Sequence, residues 1–563
     1  MSSLQEIKPA ILGGKTIWPP FTIPSGIITV NTDTILKFAR EVPLGMITTK
    51  SVGREPYSGY PEPVCSQYCA DGLSTAIGLS TMGYKAWIEE IKGIYPLKDK
   101  FLLVSIFGET VEDFLEVAPA VAIYADGIEL NFCCPHSLKY GEAVAKNGDL
   151  TVEITRQVRK IVSKPIVVKL TPNVNDIGQW ARRLEEAGAD AIAAIGPTAA
   201  VTVFDEHTKK PILSFGSGGL SGPAILEKGI ESVRAIRSGV KIPIIAGGGI
   251  RTKADIIAYH KAGGNIFSIG TSLSGMDTGE IKAYFEDMVA AIEKDKPETE
   301  ERCSFDALNI KHKPFRVASA EQSGNTAVLR FDRKIDALPG QFVLAWLPGV
   351  GEKPFSIAGA DPLVMGVKSV GKVSSALVSL KAGDEVMIRG PYGKPFPLHE
   401  NAILVSGGCG AVPLRYLAEK LVKPQILLGA AVKCELLFEA EFKSLGRTVM
   451  ATDDGSAGMR GTSVDILKEF LANNDVKNSF FYNCGPERMI KAAIEAERKY
   501  VPDNRIIICV ERHTCCGVGL CGKCSLDGYR TCVDGPCFSV DMLSTPSALG
   551  VYSRKPSGEK IRL

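Results

Sequence analysis

Near its carboxyl end the chain reads Cys516-Gly-Val-Gly-Leu-Cys521-Gly-Lys-Cys524, and Cys532 follows after seven more residues. This spacing suits a [2Fe–2S] cluster, because four thiolates can hold two irons while a glycine-rich loop turns its backbone amides toward the sulfurs. A zinc knuckle would need pairs of close cysteines and would leave the glycines unexplained. Cys515 and Cys537 are placed outside the ligand set.

A second group of residues could hold phosphates. ILVSGGCGAVPL at 403–414 sets Gly407, Gly408 and Gly410 between an apolar strand and a helix, where free amides can receive a pyrophosphate. TDDGSAG at 452–458 and YNCGPERM at 482–489, the latter with Cys484 and Gly485, also follow apolar strands, where loops over a nicotinamide would lie. Taken singly, each loop could be a plain tight turn. Earlier in the chain, GGLSG at 218–222 (Ser221, Gly222), GGGI at 247–250 (Gly248, Gly249) and the pair Gly270-Thr271 lie where the late strands of a β/α barrel bind phosphate. ELNFCCPH at 129–136 carries Cys133 and Cys134 near a strand end, facing opposite sides if the strand continues. The plain reading of such a cysteine is a buried small residue.

The elements that position these residues follow from hydrophobic rhythm. Apolar runs such as FLLVSIFG at 101–108, PIVVKL at 165–170, ADAIAAIG at 189–196 and IPIIAGGGI at 242–250 alternate with amphipathic stretches. About eight strands with helices between them predict a closed (β/α)8 barrel over 1–296, a doubly wound open sheet being the alternative. The polar stretch EKDKPETEERCS marks a linker at 297–312. Short strands with Gly and Pro turns then predict a small β-barrel over 313–398, and the β-α rhythm returns in a nucleotide-binding unit over 399–505. The last segment, 506–563, holds seven of the fifteen cysteines and is expected to form the cluster domain.

With 65 Lys+Arg against 63 Asp+Glu, charge gives no reason to expect nucleic acid or an anionic membrane as partner. No signal-like start is visible and no apolar run reaches about 18 residues, so a cytoplasmic protein acting on small molecules, as a homodimer or higher homo-oligomer, is expected. In that compartment fifteen cysteines do not suggest a disulfide framework.

Lys353-Pro354-Phe355-Ser356, then Gly371 to Ser375, the GG-x-G turn, the Cys-Gly-Pro loop and the cysteine quartet occur in an order that resembles the electron-transfer subunit of NAD-linked dihydroorotate dehydrogenase, over essentially all of 313–545. The resemblance implies FAD against Lys353 and Ser356, with Gly371, Ser374 and Ser375 near its pyrophosphate, and NAD(H) or NADP(H) as co-substrate. The family usually has Arg where Lys353 stands. The first half resembles the catalytic subunit of the same enzyme, so the chain looks like a fusion of two subunits. That resemblance implies FMN among Ser25, Gly26, Lys50, Ser51, Asn131 and Lys169, its phosphate at the glycine loops, substrate against Asn131, His136 and Thr81, Lys50 as a second catalytic residue, and Cys134 as the proton-transfer residue, which needs a thiolate within hydrogen-bond reach of substrate.

The ring-binding amides of the family are largely replaced. Asn131 remains, but His136, Thr81 and Gly196-Pro197 stand where asparagines are expected; a His after Cys-Pro also occurs in dihydropyrimidine dehydrogenase, whose barrel is similar. Leaving a buried polar group unpaired costs about 1–3 kcal/mol, so a cyclic substrate other than dihydroorotate is expected, dihydroorotate itself being the alternative. A non-redox barrel enzyme with one flavin and an electron-delivery module for a separate protein are the remaining readings. Cys65 and Cys69, in the loop expected to cover the site, read as two lid thiols, with a metal site as alternative.

Overall fold

The computed structural model describes residues 4–134, 140–294, 304–545 and 547–563. The chain folds into two compact units, one formed by Met1–Ile310, Val518–Gly528 and Arg554–Glu559, the other by Lys311–Gly517, Tyr529–Ser553 and Lys560–Leu563.

In the first unit eight strands form one parallel sheet: Phe21–Thr22, Met46–Thr48, Phe101–Ile106, Gly127–Asn131, Ile166–Lys169, Ala191–Ala194, Ile244–Gly247 and Ile266–Ser268. From Met46–Thr48 onward each pairs with the next in chain order, and Ile266–Ser268 pairs with Phe21–Thr22. The ring closes where Gly45 N–H donates to the Phe21 carbonyl at 3.2 Å and the Thr22 and Thr48 hydroxyls meet at 2.9 Å. Strands buried on both faces need unbroken apolar runs, and every residue of Phe101–Ile106 is buried. Surrounding helices are started by their own side chains: Thr110 and Asp113 form a reciprocal capping box at Val111–Ala122, as do Thr252 and Asp255 at Lys253–Lys261.

The barrel carries an addition that hydrophobic rhythm does not announce. Cys65–Cys69, Gly72–Thr75, Gly218–Ser221 and Thr198–Val201 form a four-stranded antiparallel ribbon. GGLSG is thus a strand followed by a tight turn, Pro223–Ile225, and Cys65 is buried while Cys69 is exposed.

In the second unit, six antiparallel strands between Lys313 and Tyr392 close into a barrel in the order Lys313–Ser323, Thr326–Phe331, Leu363–Lys368, Gly351–Ala360, Phe342–Leu347, Glu385–Tyr392. A seven-stranded sheet follows, with Ala402–Gly407 between Gln425–Ala430 and Phe480–Cys484. Ile506–Cys509 extends this sheet in parallel and Cys537–Ser539 adds an antiparallel edge. The boundary at 505/506 drawn from cysteine density therefore runs through a sheet, because the apolar run Ile506–Cys509 pairs as a strand whatever the later cysteines bind. No helix among the described residues is long and apolar enough to cross a membrane.

Candidate active site

At the carboxyl end of the first barrel, strand alternation aims Glu129 and Asn131 the same way, and a hydrogen-bond chain links them across neighbouring strands. Asn131 Nδ2 donates to Ser51 Oγ at 2.8 Å, Ser51 and Ser105 hydroxyls lie 2.9 Å apart, and Ser105 Oγ donates to Glu129 at 2.7 Å. Because the Ser105 proton goes to Glu129, Ser51 is the donor to Ser105. Asn131 Oδ1 accepts the Cys133 N–H at 3.0 Å, so both ends of this amide are used within the protein.

Lys169 donates to Ser25 Oγ at 2.8 Å. Burial works against its charge, but Glu129, with Cys133 and Cys134, holds its pKa above the ordinary lysine value. A cavity opens here, lined by Thr22, Thr48, Glu129, Lys169, Ile195 and Ser268 among others. Glu129 and Ser105 were not foreseen; their signal was the period-two spacing from Asn131 and an acidic residue inside an otherwise apolar strand.

Cys133 and Cys134 face different surroundings. Cys133 lies against Gly196, where a Cβ would fall 2.6 Å from its sulfur, and burial pushes its pKa up to about 11. Cys134 packs with Leu79, Phe107 and Tyr140. Gly141 backs it: with φ at +60°, its missing Cβ would fall 2.6 Å from the Cys134 backbone nitrogen and Cβ.

Lys50 belongs to the same neighbourhood. Burial and the charge of Lys523 lower its pKa to about 8, while Cys134 and Cys521 act in the opposite direction. Lys523 and Cys521 come from Val518–Gly528, which is tied to this unit by Ile28 N–H to Leu520 C=O at 2.8 Å and Lys523 Nζ to Ser58 C=O at 3.1 Å. Thr81 Oγ1 accepts from the N–H groups of Gly53 at 3.3 Å and Gly83 at 3.1 Å, so it shapes its own loop. His136 lies outside the described residues.

The phosphate loops are built by close backbone approach. Gly248 and Gly249 have φ of +119° and +82°, and a Cβ on Gly249 would fall 2.8 Å from the Gly222 carbonyl. Ser221 and Thr271 hydroxyls meet at 3.0 Å, Gly270 packs on Pro24, and Gly26 borders open space. A rim of hydroxyls and glycines beside a buried lysine fits a flavin phosphate and ring.

In the second unit, Lys353, Pro354, Phe355 and Ser356 are half-buried on one strand. Ser374 Oγ accepts from the N–H groups of Val370 and Gly371 at 2.9 and 3.0 Å and therefore caps its own helix, while Ser375 pairs with Ser369 at 2.8 Å. The glycine turn and the Cys-Gly-Pro loop touch: a Cβ on Gly410 would fall 1.9 Å from the Cys484 carbonyl, and one on Gly485 3.0 Å from Gly407 N. Gly408, with φ of +53°, faces open space, which suits amides left for a nucleotide. Cys516 and Cys532 belong to the second unit and Cys521 and Cys524 to the first, and each is 2% exposed or less. The intervening loop turns on left-handed Gly517, Gly519 and Gly522.

These folds and sites define a flavin-dependent oxidoreductase of the CH–CH group. The family described as Dihydroorotate dehydrogenase matches residues 10–287. The chain is 36% identical over 257 residues to the catalytic subunit of dihydroorotate dehydrogenase B (NAD(+)) from Pyrococcus abyssi, covering 45% of this chain and 83% of that one. It is 41% identical over 241 residues to the probable electron transfer subunit from the same organism, covering 42% and 93%, and 38% identical over 249 residues to that of Methanocaldococcus jannaschii, covering 43% and 94%. A solved structure described as an NADH-dependent reduced ferredoxin-NADP oxidoreductase is 27% identical, covering 40% of this chain and 88% of its own, with a TM-score of 0.37. The chain belongs to the NAD-linked dihydroorotate dehydrogenase B family, with the catalytic and electron-transfer parts joined in one polypeptide.

Proposed function

We propose that this protein moves electrons between NAD(P)H and a pyrimidine-like or related unsaturated ring, with Cys134 carrying the proton and with FMN, FAD and a [2Fe–2S] cluster as its cofactors. Bound flavins exchange hydride, and the cluster passes single electrons between two of them. Lys50, Lys169, Ser25 and the glycine loops hold FMN; Lys353 to Ser356 and Gly371 hold FAD; Cys516, Cys521, Cys524 and Cys532 ligate iron. The enzyme acts on small molecules in the cytoplasm as a homo-oligomer.

The observation that carries this reading is the placement of Cys134. Its sulfur sits in an apolar pocket at the carboxyl end of the barrel, in the same electrostatic neighbourhood as Lys50. Cys134 is near enough to act on the Lys50 charge, opposing the burial and the Lys523 charge that lower it, and a thiol in reach of that ammonium is the group that would take a proton from carbon. A substrate other than dihydroorotate is favoured because fewer side-chain amides face its ring than the family resemblance implies. Asn131 uses its oxygen and one of its two N–H groups within the protein, Thr81 accepts from its own loop, and Gly196 has no side chain.

Dihydroorotate itself is the second reading, favoured by the names of the relatives. Anaerobic purification with flavin and iron quantified, then reduction by NADH and reoxidation by orotate, separates the two. Two flavins and two irons per chain with no response to orotate are expected. Rapid reoxidation by orotate would establish the second reading, and a single flavin would overturn the electron path. Cys134→Ser should keep reduction by NADH and lose ring turnover by on the order of 10²-fold or more.

A further inference from the structure

Three cysteines stand in one row across the second unit's sheet. Cys484 pairs with Cys509 in the parallel register, and Cys509 pairs with Cys537 in the antiparallel one. All three are buried, and the Cys537 thiol donates to the Gly340 carbonyl at 3.8 Å. None of them is among the cluster ligands proposed above.

The row cannot serve one metal ion. Its outer members stand two strands apart, roughly 10 Å at the backbone, so only neighbouring sulfurs can meet. A disulfide needs just two. Val510 N–H donates to the Pro536 carbonyl at 3.1 Å, which makes the next pair, Cys509 and Cys537, a non-hydrogen-bonded antiparallel pair. In such pairs the Cα atoms come to about 4.5 Å, within the range of disulfides.

We propose that Cys509 and Cys537 form a reversible disulfide on reaction with a peroxide, with Cys484 as the third thiol of the site. The Cys509 thiolate attacks one peroxide oxygen, the O–O bond breaks, and hydroxide leaves, giving a sulfenic acid. The Cys537 sulfur then attacks the Cys509 sulfur, the S–O bond breaks, and water leaves. Two thiols and one hydrogen peroxide yield a disulfide and two waters. Cys484 protonates the departing hydroxide to water, and the proton that Cys509 gave up on ionising restores the Cys484 thiol, so the count closes at two waters. The neighbouring thiols on both sides hold Cys509 below the ordinary thiol value, while Cys484 and Cys537 are held above it, so the middle member of the row is the one that ionises first.

The consequence reaches Gly340. Cys484 sits at the base of the Cys-Gly-Pro loop that touches Gly410, and Cys537 packs so that a Cβ on Gly340 would fall 2.6 Å from its sulfur. Joining Cys537 to Cys509 draws that sulfur away from Gly340. The assignment is independent of the ring substrate.

The test uses holoenzyme purified without oxygen, exposed to graded hydrogen peroxide, blocked with N-ethylmaleimide and digested with trypsin without reduction. Cys484, in peptide 478–488, and Cys509, in 506–512, each fall in a peptide without a proposed cluster ligand, and Cys537 falls in 531–554. The expected result is loss of alkylated Cys509 with gain of 506–512 linked to 531–554 through Cys537, reversed by dithiothreitol and absent in Cys509→Ser. Cys537→Val should lose the link while keeping its visible cluster absorption, which reports that the variant folds. Fully alkylated Cys509 after peroxide, or a link to Cys484 or Cys532 in place of Cys537, would overturn the proposal.

Discussion

Arg389 and Glu352 form a two-pronged ion pair, both contacts at 2.7 Å, with neither side chain exposed. The same guanidinium donates to the Cys516 carbonyl at 3.0 Å, and His312 Nε2 meets the same carboxylate at 2.7 Å. Burial would raise the Glu352 pKa, but Arg389 and His312 outweigh it and hold the pKa at about 2. This carboxylate thus contributes stability above its ordinary value of 4.5 that is lost as pH falls toward 2. Arg389→Met leaves the buried carboxylate with His312 as its remaining charged partner and should cost about 3 kcal/mol in denaturant unfolding. Glu352→Gln should flatten the acid limb of the stability curve. An unchanged acid limb would refute this role.

Glu497 titrates in the opposite sense. Fully buried, it accepts from Asn483 Nδ2 at 2.9 Å, and burial raises its pKa from 4.5 to about 8 despite that bond. As a carboxylate it leaves its own Oε1 and Asn483 Oδ1 without partners; as a neutral acid it can donate from one to the other. An acid with a raised pKa favours the folded state at low pH, so stability falls as pH climbs from about 4.5 to about 8. Glu497→Gln should raise the unfolding temperature at the alkaline end and change it little at the acid end, measured by calorimetry across that range.

Lys50 should titrate close to neutrality, since its pKa is lowered to about 8. Its charge opposes folding as pH falls from 10.5 toward 8. Removing the charge of Lys523 with Lys523→Met should move the Lys50 midpoint upward, read from the pH dependence of its acylation by mass spectrometry. A midpoint that stays in place would show that burial alone sets it.

Gly141 is expected to be intolerant of any side chain. Gly141→Ala meets the Cys134 backbone at 2.6 Å in a left-handed conformation that alanine also disfavours. Displacing Cys134 by a fraction of an ångström should lower kcat on the order of 10²-fold while NADH oxidation coupled to an artificial acceptor persists. Equal loss of both activities would point to unfolding instead.

Much of this molecule was legible in the amino-acid order. Runs such as Phe101–Ile106 and Ile244–Gly247 announce strands buried on both faces, because only continuous apolar sequence tolerates that position. The glycines between Cys516 and Cys524 announce a tightly turning loop, and Gly517, Gly519 and Gly522 do take left-handed conformations, because turn conformation is a local property. The ribbon from Cys65 to Ser221 was not legible, since its four short strands come from distant segments and carry weak alternation.

What only the tertiary structure decided is which groups meet. Asn131 is a ring-binding candidate by motif, yet Ser51 and Cys133, brought in by neighbouring strand and local turn, use both ends of its amide. Glu129 gains its influence over Lys169 only through the pairing of adjacent strands. Cys484, Cys509 and Cys537 are scattered in the chain and become one row through strand register. Local conformation follows from neighbours in sequence, whereas electrostatics and reactivity follow from neighbours in space, and burial makes those spatial neighbours count.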